Sequence, residues 1–139
     1  MKNLKLILFC FFIITSCSSK KNITNNESKL DDSIVRIANE ELEYEIIIFD
    51  PGFSTWLNSV AQPEGYYTQE FLEIRNRLYV LEWNQRVQQP LTYGNLYAMV
   101  IDYDPNIDYG YEVNYKLYNY FIYFQLTNKQ QLTSFVPRI

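Results

Sequence analysis

Four polar residues in one short segment have the spacing of a metal-binding loop. They alternate with other residues, as the first four ligands of a calcium loop do, and they are Asp102, Asp104, Asn106 and Asp108. The EF-hand pattern then requires Gly at its sixth position and Glu at its twelfth, where this chain has Ile107 and Val113. A nonstandard calcium site therefore competes with a simpler interpretation. In that interpretation the segment is a turn whose Asp and Asn side chains accept hydrogen bonds from nearby backbone N–H groups.

Residue types that could serve in catalysis are scarce. The chain contains no histidine, and its two cysteines are Cys10 and Cys17. Ser-His-Asp triads, Cys-His pairs and histidine-based zinc sites are therefore excluded. A carboxylate pair of the glycosidase kind is still available, but a small domain leaves little room for a deep substrate cleft. The sequence thus favours a non-enzymatic role, and it predicts no cofactor.

A charged stripe provides a second candidate site. Arg75, Glu82 and Arg86 fall on one narrow stripe of a predicted helix, and Trp83 lies on an adjacent face. A guanidinium group here could hold an acidic group, such as the carboxylate of a peptide or of peptidoglycan. The alternative is a solvated face whose charges pair with one another.

The first 16 residues, 1–16, have the pattern of a cleaved signal peptide. Lys2 and Lys5 precede an apolar run at 6–14 that is too short to span a bilayer. The run ends in the sequence ITSC, which resembles the lipobox of bacterial lipoproteins. The resemblance implies cleavage before Cys17 and its modification by acyl chains such as palmitate, which anchor the protein to a membrane. An ordinary signal peptide with a chance cysteine is the alternative.

Cleavage before Cys17 would leave an acidic mature chain with one cysteine. Cys10 departs with the leader, so no disulfide can form within the mature chain. Lys2 and Lys5 depart as well, so 12 basic residues become 10 while all 16 acidic residues stay, for a net charge of −6. Such a charge argues against nucleic acid or anionic headgroups as partners. We therefore expect the lipid to contact the membrane, and an envelope protein to be the other partner.

Residues 17–33 are predicted to be a flexible tether behind the lipid anchor. The segment is rich in Ser, Lys, Asn and Asp and has little to bury, so it cannot offset its ordering entropy. Many Gram-negative lipoproteins carry an acidic sorting signal directly after the cysteine, whereas this chain has SSKK there. The lack of an acid favours the outer membrane, on the side that faces the periplasm.

Residues 34–139 are expected to form one α+β domain, a small two- or three-stranded sheet covered by about three helices. Strands are predicted at 44–49, where three isoleucines follow one another, and at 97–103, where apolar residues alternate. A third strand is predicted near 34–37. Apolar residues at helical spacing predict helices at 53–61, 69–88 and 110–126.

The longest predicted helix, 69–88, has more apolar residues than a surface helix needs. Its spacing produces two apolar faces. The first consists of Phe71, Ile74, Leu78 and Leu81, and the second of Leu72, Tyr79, Trp83 and Val87. We therefore expect this helix to be central to the domain, or else to share its spare face with a partner.

The predicted helix at 110–126 is expected to be amphipathic, with one apolar and one polar face. The polar face consists of Glu112, Lys116, Asn119 and Tyr123. The last apolar residues of the chain are expected to pack back onto the core, and they are Phe135, Val136 and Ile139.

Three sequence blocks together resemble a known family. They are EIIIFDPGF at 45–53, EWN at 82–84 and DYDPNIDYG at 102–110. The blocks resemble a family of short bacterial envelope lipoproteins classified as a domain of unknown function. The resemblance implies a single periplasmic domain and carries no activity or site. We expect a protein-interaction or structural module of the envelope; the alternative is a domain that binds a ligand, either a glycan or calcium.

Overall fold

The computed structural model describes residues 34–136 and residue 139. The leader predicted at 1–16 and the tether predicted at 17–33 lie outside these residues. The described part of the chain has the predicted α+β architecture in one domain. None of the helices in this part is both long enough and apolar enough to cross a membrane.

Two antiparallel strands form the sheet, β1 at Ile34–Asn39 and β2 at Tyr44–Phe49. A single turn of 3-10 helix, Glu40–Leu42, connects them. The side chain of Asn39 accepts hydrogen bonds from two backbone N–H groups of this turn, at 3.0 and 3.2 Å. The strand predicted at 44–49 is confirmed, and so is the strand near 34–37.

Four α-helices follow the hairpin. They are α1 at Phe53–Ser59, α2 at Gln69–Val87, α3 at Pro90–Tyr93 and α4 at Gly110–Thr127. The ends of α1, α2 and α4 lie within two residues of the predicted ends. The helix α2 begins after Thr68, whose hydroxyl oxygen accepts a hydrogen bond from the N–H of Phe71 at 3.2 Å.

The central element of the fold is α4. The helices α1 and α2 and the strand β1 all contact it. Every residue from Val113 to Gln125 except Lys116 is buried. The predicted polar face is therefore wrong for Asn119 and Tyr123. Tyr123 packs against two aromatic rings of α1, at centroid distances of 5.6 and 5.7 Å, and Asn119 donates a hydrogen bond to a carbonyl of its own helix.

The long helix α2 has one buried face and one exposed face. Its fully or nearly buried residues include Leu72, Asn76, Tyr79 and Trp83. On the opposite side Ile74, Leu78 and Leu81 are 50%, 37% and 59% exposed. The expectation that α2 is central is therefore wrong, because α4 occupies the centre and α2 lies at the surface of the described domain.

The strand predicted at 97–103 is wrong, because this segment is irregular. Side chains of α2 satisfy its backbone groups. Asn84 bonds both backbone polar groups of Ile101, accepting from its N–H at 2.9 Å and donating to its carbonyl at 2.8 Å. The indole N–H of Trp83 donates to the carbonyl of Met99 at 2.9 Å. Side chains of a helix thus replace a partner strand, a substitution that sequence periodicity does not reveal.

The C-terminal segment contributes a different residue to the core than expected. Phe135, Val136 and Ile139 are exposed, so the prediction that they pack onto the core is wrong. Leu132 is buried instead, and its N–H donates to the side-chain oxygen of Gln125 at 2.9 Å. Leu132 is thus the last buried residue of the described chain, and the large apolar residues after it are exposed.

Candidate functional site

The structure gives a different outcome for each of the three candidate sites that the sequence predicted. Cys17 lies outside the described residues, so its lipidation stays a prediction. The acidic segment at 102–108 and the charged stripe of α2 both lie within the described domain, where their geometry can be followed.

The acidic segment forms a surface turn between α3 and α4. One carboxylate oxygen of Asp104 accepts hydrogen bonds from the backbone N–H and the side-chain amide of Asn106, each at 2.8 Å. Asp108 accepts from the first N–H of α4 at 2.9 Å and from the amide of Gln69 at 2.7 Å. In the described part of the chain, no three His, Cys, Asp or Glu side chains are close enough to hold a metal ion. Asp102, Asp104, Asn106 and Asp108 are thus not gathered into one ligand set, and calcium binding by them stays a prediction.

The charged stripe of α2 separates into two unlike parts, and Arg86 belongs to the structural part. Its guanidinium donates to Glu82 at 2.7 Å and to the hydroxyl of Tyr97 at 2.8 Å. A third bond, 2.6 Å long, reaches the carbonyl of Gln131. Burial acts to lower the pKa of Arg86, but the hydrogen bonds to Glu82 and Tyr97 raise it above its ordinary value. The hydrogen bonds of Arg86 therefore connect the C-terminal segment to α2. The hydrogen bond of the buried Trp83 connects the segment that precedes α4 to the same helix.

Arg75 lies apart from these contacts, in the wall of an open groove of about 720 Å³ that we call the Arg75 groove. Its guanidinium carbon is 3.4 Å from the ring centroid of Phe135 and 5.1 Å from that of Phe71. Among the described residues, no carboxylate forms an ion pair with Arg75 and no group accepts a hydrogen bond from it. Arg75 is thus the side chain of the stripe that is placed to meet a ligand.

Aromatic rings form most of the Arg75 groove. They are Tyr66, Tyr67, Phe71, Tyr79, Tyr118 and Phe135. Tyr67 stacks on Phe71 at a centroid distance of 4.7 Å, and it meets Tyr118 edge-on at 5.3 Å. Burial raises the pKa of Tyr79 and Tyr118, and the positive charge of Arg75 acts weakly in the opposite direction. Both hydroxyls are therefore neutral at neutral pH, and Arg75 provides positive charge in an aromatic surrounding.

A second exposed feature is the apolar stripe of α2, which we define as Ile74, Leu78 and Leu81. Their spacing of four and three residues places them on one side of the helix, opposite its buried face. Large aliphatic side chains in a contiguous exposed row are typical of surfaces that contact another protein. The stripe consists of residues from the first of the two apolar faces that the sequence predicted.

Sequence reasoning missed the Arg75 groove. Its walls come from four separate parts of the chain: 62–67, the helix α2, Tyr118 of α4, and residues 134–136 together with Ile139. The only local signals were the tyrosine pair before Thr68 and the aromatic residue near the C-terminus. Either could have belonged to the core, since aromatic side chains are first of all core residues.

Comparison with known proteins yields a family without an assigned activity. A model described as "Family of unknown function (DUF6146)" matches residues 5–136. No curated protein and no solved structure matches the chain. Inferences about function must therefore come from the chain's own residues.

Proposed function

The chain belongs to the family of unknown function DUF6146, and from this premise we propose that it is a lipid-anchored interaction module of the bacterial cell envelope. In this proposal the domain binds a protein partner and carries out no chemistry of its own. Acyl chains on Cys17 hold it at the outer membrane, on the side that faces the periplasm.

The sequence before the domain supports the anchor. A basic start, a short apolar run and a cysteine after small residues are the features of a lipoprotein leader. The polar segment at 17–33 has the composition of a flexible tether. At about 5–6 Å times the square root of its length, such a tether reaches on the order of 20 Å. The domain would therefore work close to the bilayer surface.

The observation that carries the interaction role is the apolar stripe of α2. Complete burial of a Leu or Ile side chain contributes about 1.5–3 kcal/mol relative to exposure. Covering the exposed halves of Ile74, Leu78 and Leu81 would then contribute about 2–4 kcal/mol to binding. A partner that presents an apolar helix or strand face fits this stripe, whereas the acidic chain as a whole does not favour nucleic acid.

Site-specific photo-crosslinking in cells tests the interaction role. A photoreactive residue at Leu78 of the full-length chain should give a discrete adduct with one protein. The same residue at Asn58, exposed on α1, is the matched control and should not give that adduct. A Leu81→Arg exchange should abolish the adduct without changing the melting temperature. Recovery of uncrosslinked monomer alone from the Leu78 position would overturn the proposal.

Mass spectrometry of the mature N-terminus tests the anchor separately. We expect a chain that begins at Cys17 and carries acyl chains, and a Cys17→Ser variant that moves from the membrane fraction to the soluble fraction. A Cys17 without acyl chains, or cleavage at another position, would refute the anchor. The crosslinking result would not be affected by this outcome.

A further inference from the structure

We propose that the Arg75 groove binds a small carboxylic acid whose ring has an apolar face, either a sugar acid or an aromatic acid. This inference goes beyond the proposed interaction role, because it concerns the groove and not the apolar stripe of α2. Either function can hold without the other.

The guanidinium of Arg75 supplies the first argument. A partly buried cation is unfavourable unless a partner compensates its lost hydration, and no described residue of the domain compensates Arg75 by an ion pair or hydrogen bond. Stacking on Phe135 occupies a face of the planar guanidinium and leaves the N–H groups in its plane available. Those N–H groups match the two oxygens of a carboxylate in a bidentate pair. The side chains of the described lining residues include one cation and no acid, which suits a single negative charge.

The walls of the groove supply the second argument, because they offer ring-sized apolar surfaces next to that cation. Tyr66 is 61% exposed at the rim and meets Tyr67 edge-on at a centroid distance of 4.7 Å. An aromatic ring, or the C–H face of a sugar ring, can pack on such surfaces. Gln62 and Ser134 add neutral hydrogen-bonding groups for hydroxyls of a sugar.

The size of the groove agrees with a ligand of this kind. Its volume of about 720 Å³ falls within the range of about 300–1,000 Å³ that is usual for small-molecule sites. Such sites contain a few polar groups that orient the ligand. Here Arg75 would orient the carboxylate, and the rings would hold the body of the ligand.

Saturation-transfer NMR on the detergent-solubilised full-length chain tests the proposal. The probes are glucuronic acid and phenylacetic acid, and their neutral counterparts are glucose and phenylacetamide. At least one acid should show saturation transfer and bind more tightly than its neutral counterpart. Binding by glucuronic acid alone would identify the ligand as a sugar acid, and binding by phenylacetic acid alone would identify an aromatic acid.

Two variants connect the binding to the groove. Arg75→Gln should weaken binding of the acid about 10- to 100-fold, as expected for loss of hydrogen bonds to a charged group. Arg77→Gln is the matched control, because Arg77 lies on the same helix and is exposed, and it should leave binding unchanged. Circular dichroism checks that both variants fold. The proposal is overturned if neither acid binds, if the neutral probes bind equally well to the unmodified chain, or if folded Arg75→Gln binds as tightly as the parent.

Discussion

Replacing Asn76 by Asp should turn a hydrogen-bond donor at the centre of the fold into an acid that cannot ionise. Asn76 is 0% exposed where α2 meets α4. Its side-chain amide donates to the backbone carbonyl of Asn114 at 2.9 Å and to the side-chain oxygen of Asn114 at 3.1 Å. That side-chain oxygen also accepts from the hydroxyl of Tyr103 at 2.8 Å. An aspartate at this position would therefore point an oxygen at two acceptors.

The size of the effect follows from these contacts. A protonated Asp at position 76 can donate one of the two lost hydrogen bonds, so the neutral form should cost about 1–3 kcal/mol. An ionised form would place a buried carboxylate against two oxygen atoms, so burial should raise the pKa of the new acid well above its ordinary value. The folded state then keeps a proton that the unfolded state releases.

Stability of this variant should therefore fall as pH rises. The loss begins above the ordinary pKa of aspartate, about 3.9, because the unfolded chain ionises there and the folded chain does not. It grows by about 1.4 kcal/mol per pH unit while the buried acid stays protonated, so it reaches about 4 kcal/mol between pH 4 and pH 7. Small domains have a total stability of about 5–15 kcal/mol, so this loss, added to the about 1–3 kcal/mol of the neutral form, should remove a large part of the stability at pH 7.

Urea denaturation at both pH values, followed by the fluorescence of the buried Trp83, measures the effect. Asn76→Leu removes the donor without adding an acid, so its loss of stability should be the same at both pH values. Asn58→Asp, exposed on α1, should change stability by less than about 0.5 kcal/mol. If Asn76→Asp has the urea midpoint of the parent at pH 7, the reasoning about a buried donor between α2 and α4 is refuted.

Three further predictions test other parts of the structure. A Cβ atom on Gly52 would overlap the hydroxyl oxygen of Tyr123, so Gly52→Ala should lower the free energy of unfolding by about 1–3 kcal/mol, and Tyr123→Phe in the same chain should restore part of the loss. Arg86→Met should speed hydrogen exchange in the C-terminal segment and cost about 3 kcal/mol, because its partners are left partly buried. Arg36→Met removes an exposed ion pair and should lower the free energy of unfolding by less than about 1 kcal/mol. Equal losses for the two variants would contradict the structural role of Arg86. Burial raises the pKa of Tyr103 to about 12. Because the tyrosines of the unfolded chain ionise near pH 10, the free energy of unfolding should fall as pH rises past about 10. A melting temperature that stays constant between about pH 9 and 11 would contradict this burial.

Helices were predictable because their signal is local. Apolar residues recur at helical spacing in α1, α2 and α4, and Thr68 marks the start of α2 with a capping hydroxyl. The strand predicted at 97–103 failed for the opposite reason. Its alternation was real, but its backbone groups bond to side chains that lie about 17 residues earlier in the chain, and no local pattern indicates such bonds.

Burial of polar residues was the second source of error. Asn119 and Tyr123 appeared to belong to a solvent-facing side of α4, yet the other elements cover that side. Their polar groups are satisfied within the protein: Asn119 donates to the carbonyl of Tyr115 at 2.9 Å, and Tyr123 donates to Asp50 at 2.8 Å. A buried polar side chain is acceptable once such a partner exists, and the partner becomes known when the segments meet.

The same distinction between local and long-range contacts applies to the candidate sites. The catalytic residue types that the chain lacks, the leader that we predict and the positions of the helices follow from residue types and short-range spacing, which exist in the chain before it folds. The selection of α4 as the centre, the exposure of one face of α2 and the separation of Arg75 from Arg86 depend on contacts between residues far apart in the chain. The Arg75 groove is the clearest case, since a tyrosine pair, a helical arginine and a C-terminal phenylalanine form one surface only after their three segments pack together with α4.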